Sequence, residues 1–104
     1  MHRNRDADLL QSYTIDDDLA HAARGAIEVT VTLADGRRRW LFFMTPAALT
    51  ACGDWVEGTQ VPMHLGALHM VVVAELSADI IERVLRQLEA SGELELRTLP
   101  LGPA

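Results

Sequence analysis

Four side chains near the middle of the chain are of the types that hold metals or attack carbonyl carbons: Cys52, Asp54, His64 and His69. A zinc site is normally anchored by one close pair, such as C-x2-C or H-x3-H, on a fixed element. Neither the Cys52–His64 gap nor the His64–His69 gap is such a pair. Cys52, His64 and His69 therefore read as a small apolar thiol and two ordinary histidines, and no resident metal or cofactor is expected. A nucleophile needs a base and an orienting acid beside it, and neither G-x-S-x-G nor C-G-x-C occurs. "GALHMVVV" lacks the further glycines of a phosphate-cradling loop. The expectation is a chain without catalytic activity. A small metal or thiol enzyme built on Cys52, His64 and His69 is the remote alternative.

Two other groups could make contacts rather than break bonds. The run Asp16-Asp17-Asp18 could meet a cation or a basic partner, or form a solvated bend. Trp55 sits in a polar stretch with Asp54 and Glu57 on either side. A loop tryptophan is either an interaction hot spot or a lid folded back over the core. Asp16, Asp17, Asp18, Asp54, Trp55 and Glu57 form the candidate partner-binding set. The chain carries 15 acids and 9 bases, a formal net charge of −6, and every base is arginine. That balance argues against nucleic acid, whose phosphates demand a basic footprint, and suits a basic protein partner.

The elements that must position these groups fit one domain over residues 1–104, with loose tails at 1–8 and 100–104. A chain of this size buries roughly 60–70% of its unfolded surface, enough for one core. No apolar run reaches the ~20 residues of a membrane span. "MHRNRDADLL" has no apolar signal region, and the single cysteine cannot pair internally, so a cytoplasmic location is expected.

"LLQSYTI" reads as a strand with Leu9, Tyr13 and Ile15 on one parity, and residues 16–24 as a short helix or a loop. "AIEVTVTLADGRRRWLFFM" is a β-hairpin closing at Asp35-Gly36, a two-residue type I′ signal. That register faces Val31 with Trp40 and Val29 with Phe42. Ile27, Val29, Val31, Leu33, Trp40, Phe42 and Met44 then share the core face. Arg37, Arg39, Leu41 and Phe43 share the back face, a candidate surface for self-association as a homodimer.

"TPAALTACG" reads as a short helix with Thr45 as N-cap and Pro46 at its first position. Residues 54–66 read as loop, and "ALHMVVVAEL" as an interior strand. "SADIIERVLRQLEASG" is an amphipathic helix capped by Ser77 and stopped by Gly92, with Ile80, Ile81, Val84, Leu85 and Leu88 as its stripe. "ELELRTL" alternates as a half-exposed strand with Leu94 and Leu96 inward. The order β, β-hairpin, α, β, α, β implies an α+β fold: a mostly antiparallel sheet of about five strands with two helices packed on one face.

"LQSYTIDDD", "IEVTVTL", "WLFFMTPAAL" and "ALHMVVVAELSADIIERVLRQL" together resemble the immunity protein 8 family, over most of residues 9–90. The likeness is carried by Phe42, Phe43, Thr45, Pro46 and Leu49, then by residues 68–88. It implies a bacterial protein that neutralises a cognate toxin by direct contact; the acidic balance of this chain would suit a basic toxin domain, and no membrane or nucleic acid is expected. The family has a tryptophan before the leucine of the first helix where this chain has Ala47-Ala48-Leu49, so a toxin contact there is not carried over.

Overall fold

The central hairpin closes through three residues. The Gly36 N–H donates to the Leu33 carbonyl (2.8 Å), and the Leu33 N–H donates to the Arg37 carbonyl (2.9 Å), which leaves Ala34, Asp35 and Gly36 in the loop. Gly36 has φ +90°, and no residue other than glycine has a positive φ among those described. A type I′ turn needs positive φ at both central residues. Asp35 does not adopt it, and the chain takes the type I turn followed by a left-handed glycine instead. The Asp35 carboxylate accepts the Arg37 N–H at 3.0 Å and holds this turn.

A computed structural model describes residues 9–23, 25–52, 54–63 and 66–101, without the side chain of Cys52. Its strands and helices are β1 (Leu10–Ile15), β2 (Ile27–Leu33), β3 (Arg38–Met44), α1 (Pro46–Cys52), β4 (Asp54–Trp55), β5 (Pro62–Met63), β6 (Met70–Val72), α2 (Ala78–Ser91) and β7 (Leu99–Pro100). A one-turn 3-10 helix, Leu19–His21, follows β1, so the connection after the first strand is a single turn. The main sheet has five strands in the order β1-β2-β3-β6, with β7 also on β3. All pairings are antiparallel except β3–β6, and the expected α+β class holds. β4 and β5 form a separate ribbon.

The extra loop residue moves the hairpin register by one. Val31 lies opposite Arg39, Thr30 opposite Trp40 and Val29 opposite Leu41. Because side chains alternate with period two, that slip exchanges the faces of the whole second strand. Leu41 and Phe43 are fully buried with Ile27, Val29, Val31 and Leu33, while Trp40 and Phe42 are half-buried on the opposite face. The assignment of Arg37, Arg39, Leu41 and Phe43 to an open back face is therefore corrected: Leu41 and Phe43 are core.

α2 closes that core, contributing Ile81 and Leu85, with Val84 and Leu88 packed at its margin. Its start and stop follow the expected chemistry. Ser77 Oγ accepts the Ile80 N–H at 3.2 Å, and Gly92 adopts φ +76°, the left-handed end that a glycine takes without steric cost. α1 is likewise capped by Thr45, whose Oγ1 accepts the Ala48 N–H at 3.2 Å. Met44 and Ala48 are buried outside the α2-covered cluster.

Four further expectations change. Leu9 is exposed and Leu10 buried, because a bulge between Leu10 and Ser12 resets the parity of β1. β6 has three residues and lies at the sheet edge, not inside it. Residues 93–98 form turns instead of a strand. The Arg97 N–H donates to the Glu93 carbonyl at 2.9 Å, and their side chains pair at 3.9 Å, a helical spacing. Leu94 is therefore buried while Leu96 is 54% exposed. Pro100 pairs with Arg39 and the Leu101 N–H donates to the Arg38 carbonyl at 3.0 Å, so the chain is tied down past residue 99.

Candidate functional site

In the ribbon that follows α1 every residue from 54 to 63 is exposed. Asp54 pairs with Met63 and Trp55 with Pro62, while the Val56 N–H donates to the Val61 carbonyl at 2.9 Å. Thr59 closes the tip through its N–H and hydroxyl, both donating to the Val56 carbonyl at 2.9 and 2.8 Å. These bonds hold the ribbon together, and its side chains are exposed. Trp55 is 56% exposed, and Val56, Val61 and Met63 are exposed with it. A tryptophan folded over the core would be nearly buried, so the lid reading of Trp55 does not hold. Asp54 and Glu57 are exposed on the same ribbon. Segment 54–63, read as loop, is thus a two-stranded projection carrying apolar side chains beside two acids.

The acidic run behaves differently. Asp16 Oδ2 accepts the Thr30 hydroxyl (2.7 Å), Asp17 Oδ2 accepts the Glu28 N–H (2.8 Å) and Asp18 Oδ1 accepts the Ala20 N–H (2.9 Å). One oxygen of each carboxylate is spent on the bend between β1 and β2. The three side chains remain exposed. Since Ile27 is opposite Phe43, this bend lies at the end of the sheet from which α1 and the ribbon depart. Among the described residues no hydrogen bond or ion pair joins the bend to Asp54 or Glu57.

Two of the three hairpin arginines, Arg37 and Arg39, are committed to the fold. Arg37 pairs with Asp35 at 2.7 Å and Glu95 at 3.2 Å. The hydrogen bond to Glu95, then that to Asp35, pushes its pKa above the ordinary guanidinium value. In turn the Arg37 backbone N–H, ahead of the guanidinium itself, holds the Asp35 carboxyl below its usual range. Arg39 donates from Nε to Thr98 Oγ1 (2.7 Å) and from Nη2 to the carbonyls of Thr98 (2.7 Å) and Glu95 (3.1 Å). Thr98 is 2% exposed, and its hydroxyl donates to the Leu94 carbonyl at 2.8 Å. Arg39 is a latch for the 93–98 turns.

One cluster went unseen in the sequence. The His69 ring stands edge-on to Trp40 (centroids 4.5 Å) and Phe42 (4.9 Å), and these two stack at 6.3 Å. A two-residue turn would place Trp40 and Phe42 in the core. Their alternation with Leu41 and Phe43 is apolar on both parities, so only the register reveals which pair is buried. His64 lies outside the described residues, as does the Cys52 side chain, and of that trio only His69 is placed. Among the described residues no group of three or more His, Cys, Asp or Glu side chains is arranged to hold a metal ion. No helix among them is long and apolar enough to cross a membrane.

Comparison with protein-family models, curated proteins and solved structures finds no match to this chain.

Proposed function

We infer that this chain is a non-catalytic protein-binding module whose contact surface is the β4–β5 ribbon. The observation that carries the reading is the exposure of Trp55 together with Val56, Val61 and Met63 on one projection. Apolar side chains gathered on a projection cost solubility unless a partner covers them, and tryptophan is among the residues enriched at interaction hot spots. Asp54 and Glu57 flank that anchor, and the net charge of −6 favours encounter with a basic partner. The resemblance to the immunity protein 8 family suggests a toxin as the partner, blocked by direct contact in the cytoplasm of a bacterium, and the acidic charge suggests that its contacting domain is basic.

Growth is the test. Cells expressing a toxic domain encoded beside this chain's gene should grow when the native chain is co-expressed and fail to grow with Trp55→Ala. Charge reversal at Asp54 and Glu57 should slow association with the purified domain. A gene neighbourhood that is purely metabolic, or protection undiminished by Trp55→Ala, refutes the reading. A second reading, self-association, is favoured by the half-exposed Trp40–Phe42–His69 cluster instead of Leu41 and Phe43. Sedimentation at micromolar concentration tests it, and a strict monomer removes it.

A further inference from the structure

β6 leaves half of its backbone bonding groups without a strand partner. The Val73 N–H donates to the Met44 carbonyl (2.9 Å) and the His69 carbonyl accepts the Phe42 N–H (3.0 Å). Alternation along the strand therefore turns the groups of residues 69, 71 and 73 toward β3 and those of Val72 away from it. Among the described residues no strand lies beyond β6 in the sheet order, and Val72 is 43% exposed.

A groove runs along this edge. One cavity of about 430 Å³ is lined by Met70, Val71, Val72 and Val73 in succession. Successive strand residues point to opposite faces, so a hollow touched by four in a row follows the edge of the strand. Its far wall is α2, through Val84, Gln87 and Leu88, with Glu93 and Arg97 also lining it. A second cavity of about 400 Å³ shares Val73, Val84 and Gln87 and continues to Glu75. Each volume is of the size that holds a small ligand, within ~300–1,000 Å³.

We propose that the β6 edge and the facing side of α2 form a receptor for an extended peptide, bound by strand addition and distinct from the β4–β5 ribbon. The backbone groups of Val72 would be met by those of the peptide, and the peptide's alternate side chains would rest against Val84 and Leu88. A second copy of the chain is the poorer occupant. A three-residue edge buries too little to approach the ~1,000 Å² of a stable interface. Charge defines the peptide further. Arg83 is paired with Asp79 (2.8 Å) and Arg97 with Glu93 (3.9 Å), whereas Glu75 has no ion pair among the described residues. The fitting sequence is β-branched or small at its centre, with a lysine or arginine at the end that meets Glu75.

The experiment pans a random phage-displayed heptapeptide library over the native chain and remakes the selected peptide with and without N-methyl groups at alternate amides. Selected sequences should be β-branched with a basic end, and titration should shift the amide resonances of Val72 and Ala74. Val72→Pro should weaken binding at least tenfold. Proline is tolerated where an edge N–H faces solvent, so this variant keeps the fold. N-methylation should weaken binding equally while leaving the protein untouched, Glu75→Gln should weaken it severalfold, and Trp55→Ala should not change it. The proposal is overturned if no peptide is selected, if the N-methylated peptide binds as well, or if the shifts fall elsewhere. A dimer abolished by Val72→Pro would assign the edge to a second copy and overturn it equally.

Discussion

Arg39→Ala isolates what holds the C-terminal turns against the sheet. The guanidinium makes three charge-assisted bonds to Thr98 and Glu95, at 2.7, 2.7 and 3.1 Å, in a part-buried setting. Bonds to a charged group contribute about 1.5–3 kcal/mol each when one is removed, but the freed carbonyls regain water. The three bonds also share one cation and do not add. A loss of about 2–4 kcal/mol follows. That is a large share of the ~5–15 kcal/mol stability of a domain this size, and at 4–8 °C per kcal/mol it lowers Tm by roughly 8–30 °C. Arg37→Ala should cost clearly less, because its pairs with Asp35 and Glu95 are exposed and solvent-screened. Arg39→Lys should fall between, since an ammonium cannot reproduce the planar fork. Urea denaturation of the three variants reads the order from midpoints at constant m. If Arg39→Ala costs no more than Arg37→Ala, or if Arg39→Lys is fully as stable as the native chain, the latch is not what orders residues 93–98.

Phe43→Ala should cost about 3–5 kcal/mol in the same assay, and Phe42→Ala only about 1–2, because the first empties a core site and the second trims a half-buried face; the reverse order would restore the two-residue turn. Trp55→Ala should leave stability within about 0.5 kcal/mol of the native value, since its ring is exposed, and a larger loss would place it against the core. Tyr13 is the only tyrosine, so alkaline titration of its absorbance reads one group. Its hydroxyl donates to Glu82 Oε1 at 2.7 Å, and that bond, then burial and the carboxylate charge, raises its pKa above 10.0. A raised folded pKa contributes stability fully present below the unfolded value and lost as pH rises through the folded one. Glu82→Gln should lower the midpoint and remove that part of the alkaline loss, and an unmoved midpoint would show that the bond is not formed in solution.

What the residues determined alone was local and complete within itself. Ser77, the 3.6-residue stripe and Gly92 bound α2, and Thr45-Pro46 starts α1, because caps and periodicity act within a few residues of where they are written. The hairpin and the α+β class were legible for the same reason. The register was not. Asp35-Gly36 serves a two-residue turn and a three-residue one equally well, and residues 40–44 are apolar on both parities, so nothing local says which of Phe42 and Phe43 is buried. Packing against Ile81, Leu85 and Leu94 decides it, by covering the face that bears Leu41 and Phe43. Tertiary structure likewise made β6 an edge, because its neighbour across β3 is chosen by chain topology. It also turned most of "ELELRTL" into turns and left only Leu99 in a strand, since Arg39 binds the carbonyls of Glu95 and Thr98. The Trp55 ribbon lay between the two cases: the tryptophan and its acids were visible as candidates, but exposure is a property of the finished surface and no pattern of neighbours along the chain encodes it.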